Sequence, residues 1–147
     1  MRIVLQKVKR GMVDIDGQTI AQIADGYVLL LAIHKNDTTV DADKLVEKVL
    51  KLRLFAPVGS DSFMEQNIIE WGGSLIIVSQ FTLYGDCKKG TRPSFTDSAR
   101  PEKAKELYKY VVDSFIEKGI HVEVGAFGEH MEVELINDGP ITLILDS

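Results

Sequence analysis

The chain has 147 residues, of which 45% are hydrophobic and 27% charged, and its 17 Lys+Arg against 22 Asp+Glu give a formal charge of −5. This length and composition predict a single globular domain over residues 1–147 and exclude a disordered chain. The acidic balance excludes a protein that coats long stretches of nucleic acid by neutralising phosphates, so any contact with nucleic acid must be local.

Four strand-like segments open the chain, each rich in Ile, Val and Leu and bounded by turn residues. They cover residues 2–8, 12–15, 18–23 and 27–33. The pairs Asp16–Gly17 and Asp25–Gly26 separate the later ones, and a glycine in the second position supplies the positive φ of a hairpin turn. The pattern predicts an antiparallel meander. Its last strand is apolar on both faces, so we expect helices to lie against the sheet.

Two helices are predicted to cover the sheet. Possible N-caps at residues 38–39 and apolar positions at i, i+3 and i+4 spacing predict a helix over about residues 40–54. A second apolar stripe predicts a helix over residues 101–118. Pro101 suits its first position, and Gly119 ends it.

Strands are predicted again over residues 74–83, 121–124, 131–137 and 141–145. The alternation of strands and helices predicts a mixed α/β domain with one sheet. The long segments 56–67 and 84–100 are expected to be loops, and loops on a rigid scaffold are where functional residues tend to lie.

The usual catalytic and metal-binding motifs are missing from the sequence. The three histidines have no partner at metal-ligand spacing, and neither H-E-x-x-H nor G-x-S-x-G occurs. The single cysteine, Cys87, excludes a disulfide framework and multi-cysteine metal sites, and a plain loop thiol is its simplest interpretation. We therefore expect no metal and no cofactor, and an enzyme of this sequence would lack an obvious side-chain base.

The sequence also indicates where the protein resides. Polar residues within the first seven positions exclude the apolar run of a signal peptide. The longest apolar stretch, residues 27–33, is far shorter than the roughly 20 residues of a transmembrane helix. We expect a cytoplasmic protein without a membrane partner.

Polar residues in the segment Ser79-Gln80-Phe81-Thr82-Leu83-Tyr84 interrupt an otherwise apolar strand. Strand alternation would put Phe81 and Leu83 on one face and the other side chains opposite, which predicts a polar wall. The pattern alone leaves open an edge strand with a solvated face. The apolar residues 75–78 before it favour a central strand whose polar end emerges at a crevice.

A second unusual segment is Asn137-Asp138-Gly139-Pro140-Ile141-Thr142. Asn-Asp-Gly alone is typical of a hairpin turn. Pro140 cannot donate a ladder hydrogen bond and restricts Gly139, so we expect a kink that leaves main-chain carbonyls without sheet partners. The sequence does not decide between a cis and a trans Gly139–Pro140 bond.

The residues 79–83 of the first segment, and the second segment extended to the C-terminal Ser147, resemble the two signature motifs of the bacterial and eukaryotic D-aminoacyl-tRNA deacylase family. The resemblance continues along the chain in the opening Met-Arg-x-Val-x-Gln, in Gly90-x-Arg92-Pro93-Ser94-Phe95, and in Phe127-Gly128 followed by Met131. It implies a homodimer with a strongly curved mixed sheet covered by two main helices. The implied activity is hydrolysis of the ester between a D-amino acid, or glycine, and the terminal adenosine of tRNA, with no DNA partner.

The resemblance also implies roles for individual residues. The pocket for the aminoacyl group would be lined by the catalytic residues Ser79, Gln80, Phe81 and Thr82. The Gly-Pro pair, cis in the family, would reach into the pocket of the partner subunit and exclude an L side chain with its carbonyls. The residues assigned to substrate binding are Gly139, Pro140, Asn137, Thr142, Phe127, Met131 and Gln6.

The implied reaction is compatible with the absence of the usual catalytic motifs from the sequence. An aminoacyl ester is already activated, so positioned water and oxyanion-stabilising N–H groups, here those of Phe81 and Thr82, can suffice. Thr82 without a base is a poor nucleophile and is better assigned to positioning. Because L and D substrates carry identical groups, discrimination needs a rigid wall, which glycine should pass.

Several residues are candidates for contacts with tRNA. Lys88, Lys89 and Arg92 would meet phosphates near the acceptor end, or they form a solvated basic loop. Phe127 and Met131 correspond to family positions beside the terminal adenine, although a core role is equally compatible with their residue types.

The sequence departs from the family pattern in places and leaves two other functions open. Lys7 stands where arginine is usual, and residues 64–67 differ enough that we assign them no role. One alternative is a noncatalytic dimeric module that binds RNA ends or nucleotides. The other is a hydrolase of unrelated small esters.

Overall fold

The computed structural model describes residues 1–57, 59 and 64–147, and its largest element is a six-stranded sheet. The strands are β1 Arg2–Ile15, β2 Gln18–Ile23, β3 Gly26–Ala32, β4 Arg53–Phe55, β5 Gln66–Asn67, β6 Ser74–Ser79, β7 His121–Val124 and β8 Glu132–Asp146. The helices are α1 Thr39–Lys51, α2 Ile68–Trp71 and α3 Pro101–Glu117, and a 3₁₀ helix covers Phe81–Tyr84. Strands β4 and β5 pair with each other apart from the main sheet.

The main sheet is mixed, as predicted. Its order is β2-β1-β3-β6-β7, and β8 pairs with β1. Strand β1 is antiparallel to β2, β3 and β8, which confirms the N-terminal meander. The pairs β3–β6 and β6–β7 are parallel.

Strand β1 is one continuous strand of 14 residues, whereas the sequence pattern predicted two strands. Residues 9–11 remain extended because β8 pairs with β1 along nearly its full length. The bend of the strand lets its first half pair with β3 and its second half with β2. Gly11 permits this bend, since a Cβ there would lie 2.8 Å from the Val28 side chain.

The core lies on both faces of the curved sheet. Helices α1 and α3 cover one face, where residues such as Leu29 and Ile77 pack with Val111 and Phe115. The opposite, concave face encloses a smaller cluster that includes Val28 of β3. The double burial predicted for β3 is therefore achieved by helices on one side and by the curling of the sheet itself on the other.

The two predicted helices are present with small changes at their ends. Helix α1 begins at its N-cap Thr38, whose backbone N–H donates to the Asp41 carboxylate at 2.9 Å. It ends at Lys51, earlier than predicted, because the chain turns extended at Leu52 and enters β4. Helix α3 begins at Pro101 as predicted and has Lys118 as its C-cap. Within the ranges that the structure covers, none of the helices combines the length and apolar character needed to cross a bilayer.

The predicted loop 56–67 is in part regular structure. It contains β5 and leads into α2, whose N-cap Asn67 accepts the N–H groups of Ile69 and Glu70 at 2.9 Å each. Gly72 ends this helix with a φ of 76°. Val58 and residues 60–63 of the predicted loop lie outside the described residues.

Three predicted strands have different bounds in the structure. The strand predicted over residues 74–83 ends at Ser79, so the expected alternation of side chains through Tyr84 is wrong. Strand β3 ends at Ala32, and among the described residues no strand pairs with the chain directly beyond Gln80, which coils into the 3₁₀ helix. The two strands predicted near the C-terminus are the single strand β8.

The kink expected at Gly139-Pro140 is present as an interruption of strand pairing. Thr142 pairs with Gln6, and Asn137 pairs with Val8, so the residues between them on β8 bulge out opposite Lys7. Gly139 has a φ of 116°, and its peptide bond to Pro140 is cis.

The two ends of the chain lie side by side. The Met1 ammonium donates to Asp37 at 2.7 Å and to the Ser147 hydroxyl at 2.9 Å. The Ser147 N–H donates to the Met1 carbonyl. Arg2 and Asp146 form an ion pair next to these contacts. Strands β1 and β8 are thereby joined at the end of the sheet where β3 and β6 terminate.

Candidate functional site

A cavity of about 650 Å³ opens at the carboxyl ends of the parallel strands β3 and β6. Its walls are formed by these strand ends, the start of the 3₁₀ helix, the segment from Phe95 to Ala104, and the segment from Phe127 to Val133. Crevices at the carboxyl ends of parallel strands are the usual ligand sites of α/β sheets. The predicted crevice at the end of β6 is therefore present.

Some of the residues predicted from the sequence meet at this cavity. Those that line it are Ser79, Gln80, Phe81, Phe127 and Met131. Thr82 is not among the lining residues, but its hydroxyl oxygen accepts a hydrogen bond from the side-chain amide of Gln80, which is. The first predicted motif thus forms one wall of a cavity, although as a strand end followed by a 3₁₀ helix.

The start of the 3₁₀ helix presents two backbone donors. The Gln80 N–H donates to the Leu31 carbonyl at 2.8 Å and forms the last rung of the sheet. The first N–H groups of any helix have no partner within that helix. In the described part of the chain, no main-chain acceptor pairs with the N–H of Phe81 or of Thr82. Two adjacent free N–H groups beside a cavity can stabilise a developing oxyanion.

Two further residues hold Phe81 in place. The Ser98 hydroxyl donates to the Phe81 carbonyl at 3.0 Å. The ring of Phe95 meets the Phe81 ring edge to face, with centroids 5.0 Å apart. Both lie in the predicted 84–100 loop, which docks onto the sheet where Ala99 donates to Ile33. This docking joins segments far apart in sequence. Phe95 belongs to the segment Gly90-x-Arg92-Pro93-Ser94-Phe95 that carries part of the resemblance, whereas Ser98 had no signal beyond the length of the loop.

Phe127 and Met131 form the opposite wall and also pack on the core. The Phe127 ring lies 5.8 Å from the Tyr108 ring, and Phe127 packs against the core under the helices. Met131 packs against the cluster on the concave face, close to Gly125, where a Cβ would lie 2.7 Å from the Met131 sulfur. Each side chain therefore packs on the core, as one of the two predicted alternatives had it, and also borders the cavity, while a contact with adenine stays a prediction.

The remaining predicted residues form a second group on β1 and β8. The Asn137 amide donates to the Lys7 carbonyl at 2.9 Å and to the Ile141 carbonyl at 3.0 Å. Its side-chain oxygen accepts from the Thr142 hydroxyl at 3.4 Å, and Gln6 contacts that hydroxyl at 3.5 Å. Asn137 thus fastens both ends of the bulge that carries the exposed Gly139 and Pro140.

Within one chain, the two groups of residues are separated. Ser79 pairs with Leu31, and Leu31 pairs with Ile3 of β1, whereas the bulge lies opposite Lys7. Four residues along a strand span about 13 Å, at roughly 3.3 Å per residue. Gly139 and Pro140, both described, are not among the residues that line the cavity.

Charged groups stabilise the base of the bulge. The Lys7 ammonium lies 2.8 Å from the Asp138 carboxylate, and that of Lys9 lies 3.8 Å from it. The hydrogen bond from Lys7, together with the charges of both lysines, lowers the pKa of Asp138 below its ordinary value. The residue next to Gly139 is therefore an ionised anchor at neutral pH.

The basic residues of the 84–100 loop are exposed. Lys88, Lys89 and Arg92 lie at its tip, beyond a pair of backbone hydrogen bonds of 2.8 and 2.9 Å between Asp86 and Ser94. This closed loop extends from the 3₁₀ helix that contributes to the cavity. The arrangement exposes three positive charges on an otherwise acidic protein.

Comparison with known proteins identifies the family. Residues 4–146 match the model of the family described as D-Tyr-tRNA(Tyr) deacylase. A protein of Thermosipho melanesiensis called D-aminoacyl-tRNA deacylase is 50% identical over 148 residues, which cover 100% of this chain and 97% of the relative. One of the same name from Shouchella clausii is 49% identical over 147 residues, covering 100% and 99%.

A solved structure agrees with these relatives. The protein called c-Myc DNA Unwinding Element Binding Protein superposes with a TM-score of 0.92 at 32% identity, covering 100% of this chain and 99% of its own. The family model and the relatives span nearly the whole sequence, including both motifs. The chain therefore belongs to the D-Tyr-tRNA(Tyr) deacylase family.

Proposed function

We propose that this protein hydrolyses the ester bond of D-aminoacyl-tRNA and releases a free D-amino acid and tRNA. The observation that carries the proposal is the pair of free N–H groups of Phe81 and Thr82 beside the cavity. A cavity of about 650 Å³ has the size of pockets that hold drug-sized ligands, and an aminoacyl-adenosine is of that class. Membership of the deacylase family supports the same activity.

The reaction needs little beyond positioning. Water attacks the ester carbonyl, and the carbonyl oxygen gains negative charge that the N–H groups of Phe81 and Thr82 stabilise. The bond between the carbonyl carbon and the ribose oxygen then breaks, and the ribose oxygen leaves with a proton. Because an aminoacyl ester is already activated, water held in the correct place is sufficient. The Thr82 hydroxyl, which accepts from Gln80, orients the reactants and does not attack.

Selection against L-aminoacyl esters is assigned to Gly139 and Pro140. Main-chain atoms cannot change rotamer, so they form a wall that excludes one of two mirror-image side chains. Asn137 fastens the bulge at both ends, and the ion pair of Lys7 with Asp138 stabilises its base. Glycine carries no side chain to exclude, so glycyl-tRNA, including tRNA(Ala) mischarged with glycine, is expected to be a substrate as well.

The wall and the catalytic turn belong to different subunits of a homodimer in this proposal. Within one chain they are about 13 Å apart along β1, at roughly 3.3 Å per residue, so one chain alone cannot combine them. Strand β8 presents apolar side chains to solvent, including Ile136 at 50% and Ile144 at 67% exposure. A second copy that covers this surface would insert its own bulge into the cavity, and the dimer would then contain two complete sites.

Recognition of tRNA is assigned to the acceptor end. Lys88, Lys89 and Arg92 are placed to meet phosphates, while Phe127 and Met131 offer an aromatic face and a thioether to the terminal adenine. The overall charge of −5 favours a small footprint, so the salt dependence of binding should be shallow. No contact with DNA is needed for this function, which is expected to take place in the cytoplasm.

Hydrolysis of D-tyrosyl-tRNA compared with L-tyrosyl-tRNA tests the proposal. We expect rapid release of D-tyrosine and negligible release of L-tyrosine, measured with labelled amino acid and the purified protein. Equal hydrolysis of the two esters, or hydrolysis of neither, would contradict the proposal. Glycyl-tRNA in the same assay tests the expected passage of glycine.

The same assay distinguishes the two alternatives. A noncatalytic module that binds RNA ends or nucleotides would retain the aminoacyl ester without releasing amino acid. A hydrolase of unrelated small esters would act equally well on a simple ester that lacks the terminal adenosine. Retention without release, or a rate indifferent to the adenosine, would replace the deacylase assignment by the corresponding alternative.

A further inference from the structure

Arg2 contacts the 3₁₀ helix that carries the two free N–H groups. One guanidinium nitrogen, Nη1, donates to the Leu83 carbonyl at 3.3 Å. The guanidinium carbon lies 5.4 Å from the centroid of the Tyr84 ring. Arg2 therefore meets two successive residues at the end of this helix, through a hydrogen bond and through a cation–π contact.

The other side of the guanidinium is fixed by Asp146. Nε donates to Oδ1 at 2.8 Å, and Nη2 donates to Oδ2 at 3.1 Å, which is a two-pronged arrangement that only arginine can make. The bond from Arg2 lowers the pKa of Asp146 below its ordinary value, so the pair is ionised at neutral pH. Arg2 is in this way anchored to β8 while it reaches to Leu83.

Tyr84 is held from a second direction as well. The His34 ring meets it edge to face, with centroids 5.2 Å apart. Burial is the main cause that raises the pKa of the Tyr84 hydroxyl to about 12, so the ring stays neutral at physiological pH. The half-buried Tyr84 ring lies between Arg2 and His34, and Tyr84 is the last residue of the 3₁₀ helix. These contacts therefore hold the end of the helix.

We propose that Arg2 is a positioning residue for the main-chain donors of Phe81 and Thr82. This inference rests on the proposed function, because it assigns Arg2 to the oxyanion-stabilising turn. The start of the turn is fixed by Gln80 on Leu31. Arg2 fixes its end, and loss of that contact lets the two N–H groups rotate away from the ester carbonyl.

A comparable ion pair elsewhere in the same strand pair separates this role from general stabilisation. Arg10 of β1 pairs with Glu134 of β8, at side-chain exposures of 49% and 57%, against 36% and 53% for Arg2 and Asp146. Exposed pairs of this kind contribute little to stability. Removal of either arginine should therefore have similar small effects on folding, and only Arg2 touches the turn.

The experiment compares Arg2→Ala, Arg2→Lys and the control Arg10→Ala in steady-state hydrolysis of D-tyrosyl-tRNA. We expect Arg2→Ala to lower kcat about tenfold while KM changes less than about twofold, because the lost interaction acts in the transition state. Lysine retains the charge but cannot hold Asp146 and Leu83 together, so Arg2→Lys should restore less than half of the lost rate. Arg10→Ala should match the wild type.

A readout without substrate distinguishes failure of this inference from failure of the proposed function. In ¹⁵N-labelled protein, the amide resonances of Phe81 and Thr82 should shift in both Arg2 variants and stay in place in Arg10→Ala. Unshifted amides in the Arg2 variants, or a kcat equal to that of Arg10→Ala, would overturn the role of Arg2. A wild-type protein without activity, together with shifted amides, would overturn only the proposed function.

Discussion

The α-amino group of Met1 lies 2.7 Å from the carboxylate of Asp37 in a buried contact, and the side chains of the two residues are 0% and 7% exposed. The second oxygen of Asp37 accepts the N–H of His34 at 2.6 Å. A buried ammonium without its counter-charge is strongly unfavourable. This pair therefore holds the start of β1 against the segment that precedes α1.

Asp37→Ala should destabilise the protein by about 3 to 5 kcal/mol, because it leaves the Met1 ammonium buried and uncompensated. The free energy of unfolding in urea measures the loss. Asp97→Ala is the matched control, since Asp97 pairs with Lys35 at 2.7 Å but at exposures of 50% and 55%, where the loss should stay below about 1 kcal/mol. Equal losses in the two variants would show that burial of the pair is unimportant.

Ser98→Ala should impair catalysis more than folding. The variant removes the hydrogen bond to the Phe81 carbonyl at 3.0 Å and frees the start of the turn. We expect kcat for D-tyrosyl-tRNA to fall several-fold, by about 3- to 10-fold, with a loss of unfolding free energy of about 1 kcal/mol. Ser114→Ala is the control, because Ser114 donates to the Tyr110 carbonyl at 2.7 Å on the exposed side of α3. A kcat equal to that of the control would contradict the anchoring role.

Gly139→Ala should weaken the choice between D and L substrates. At a φ of 116°, an alanine is strained, and its Cβ would lie 2.7 Å from the Ile141 side chain. The bulge must then move, and with it the proposed wall. Gly17→Ala is the control, since Gly17 also has a positive φ, of 76°, but no atom within 4 Å of a Cβ. The ratio of D- to L-tyrosyl-tRNA hydrolysis should fall in the first variant and persist in the second.

Mixed dimers test whether two subunits build each site. Thr82→Pro removes a backbone donor from the turn, and Gly139→Ala damages the wall. When the two variants are unfolded together and refolded in equal amounts, about half of the dimers are mixed, and each mixed dimer has one intact site. We expect about a quarter of the selective wild-type activity to return. No recovery above the sum of the separate variants would place both halves of the site in one subunit.

Acid should weaken the start of α1 through Asp41. The hydrogen bond from the Thr38 backbone, the largest cause, lowers the pKa of Asp41 from 3.8 to about 2. A lowered pKa gives a contribution to stability that is present above the unfolded-state pKa and lost as the pH falls through the folded-state pKa. Asp41→Asn should therefore be less stable than the wild type at neutral pH, by at most about 1 kcal/mol for an exposed group.

The difference between Asp41→Asn and the wild type should shrink as the pH falls from 3.8 towards about 2. Urea midpoints at stepped pH values measure it. A difference that stays constant through this range would mean that the charge of Asp41 makes no contribution to the cap.

The elements that local patterns specify could be predicted from the sequence. The hairpin at Asp16–Gly17 and the start of α3 at Pro101 are present because a turn glycine and a proline at the first helical position act locally. The continuity of β1 depends on pairing with β8, which lies more than a hundred residues away. No local pattern reports such pairing, and the sequence therefore predicted two strands.

The candidate site likewise combines features that the sequence predicted with contacts between distant segments that it did not. Its motif residues were predicted through resemblance, but the contacts that fix them were not. Ser98 reaches Phe81 from a loop, and Arg2 reaches Leu83 from the start of the chain. The 3₁₀ helix begins beside the end of β3, a relationship between distant segments that the residues 81–84 alone do not report.

The donors beside the cavity are peptide nitrogens, so every residue type except proline supplies them equally. An alanine scan through this turn would remove the Thr82 hydroxyl but none of these backbone donors, so it would underestimate what the proposed site depends on. Natural substitutions at these positions likewise retain the donors unless the new residue is proline. Substitutions other than proline can therefore change only the contacts that orient these N–H groups, and not the N–H groups themselves.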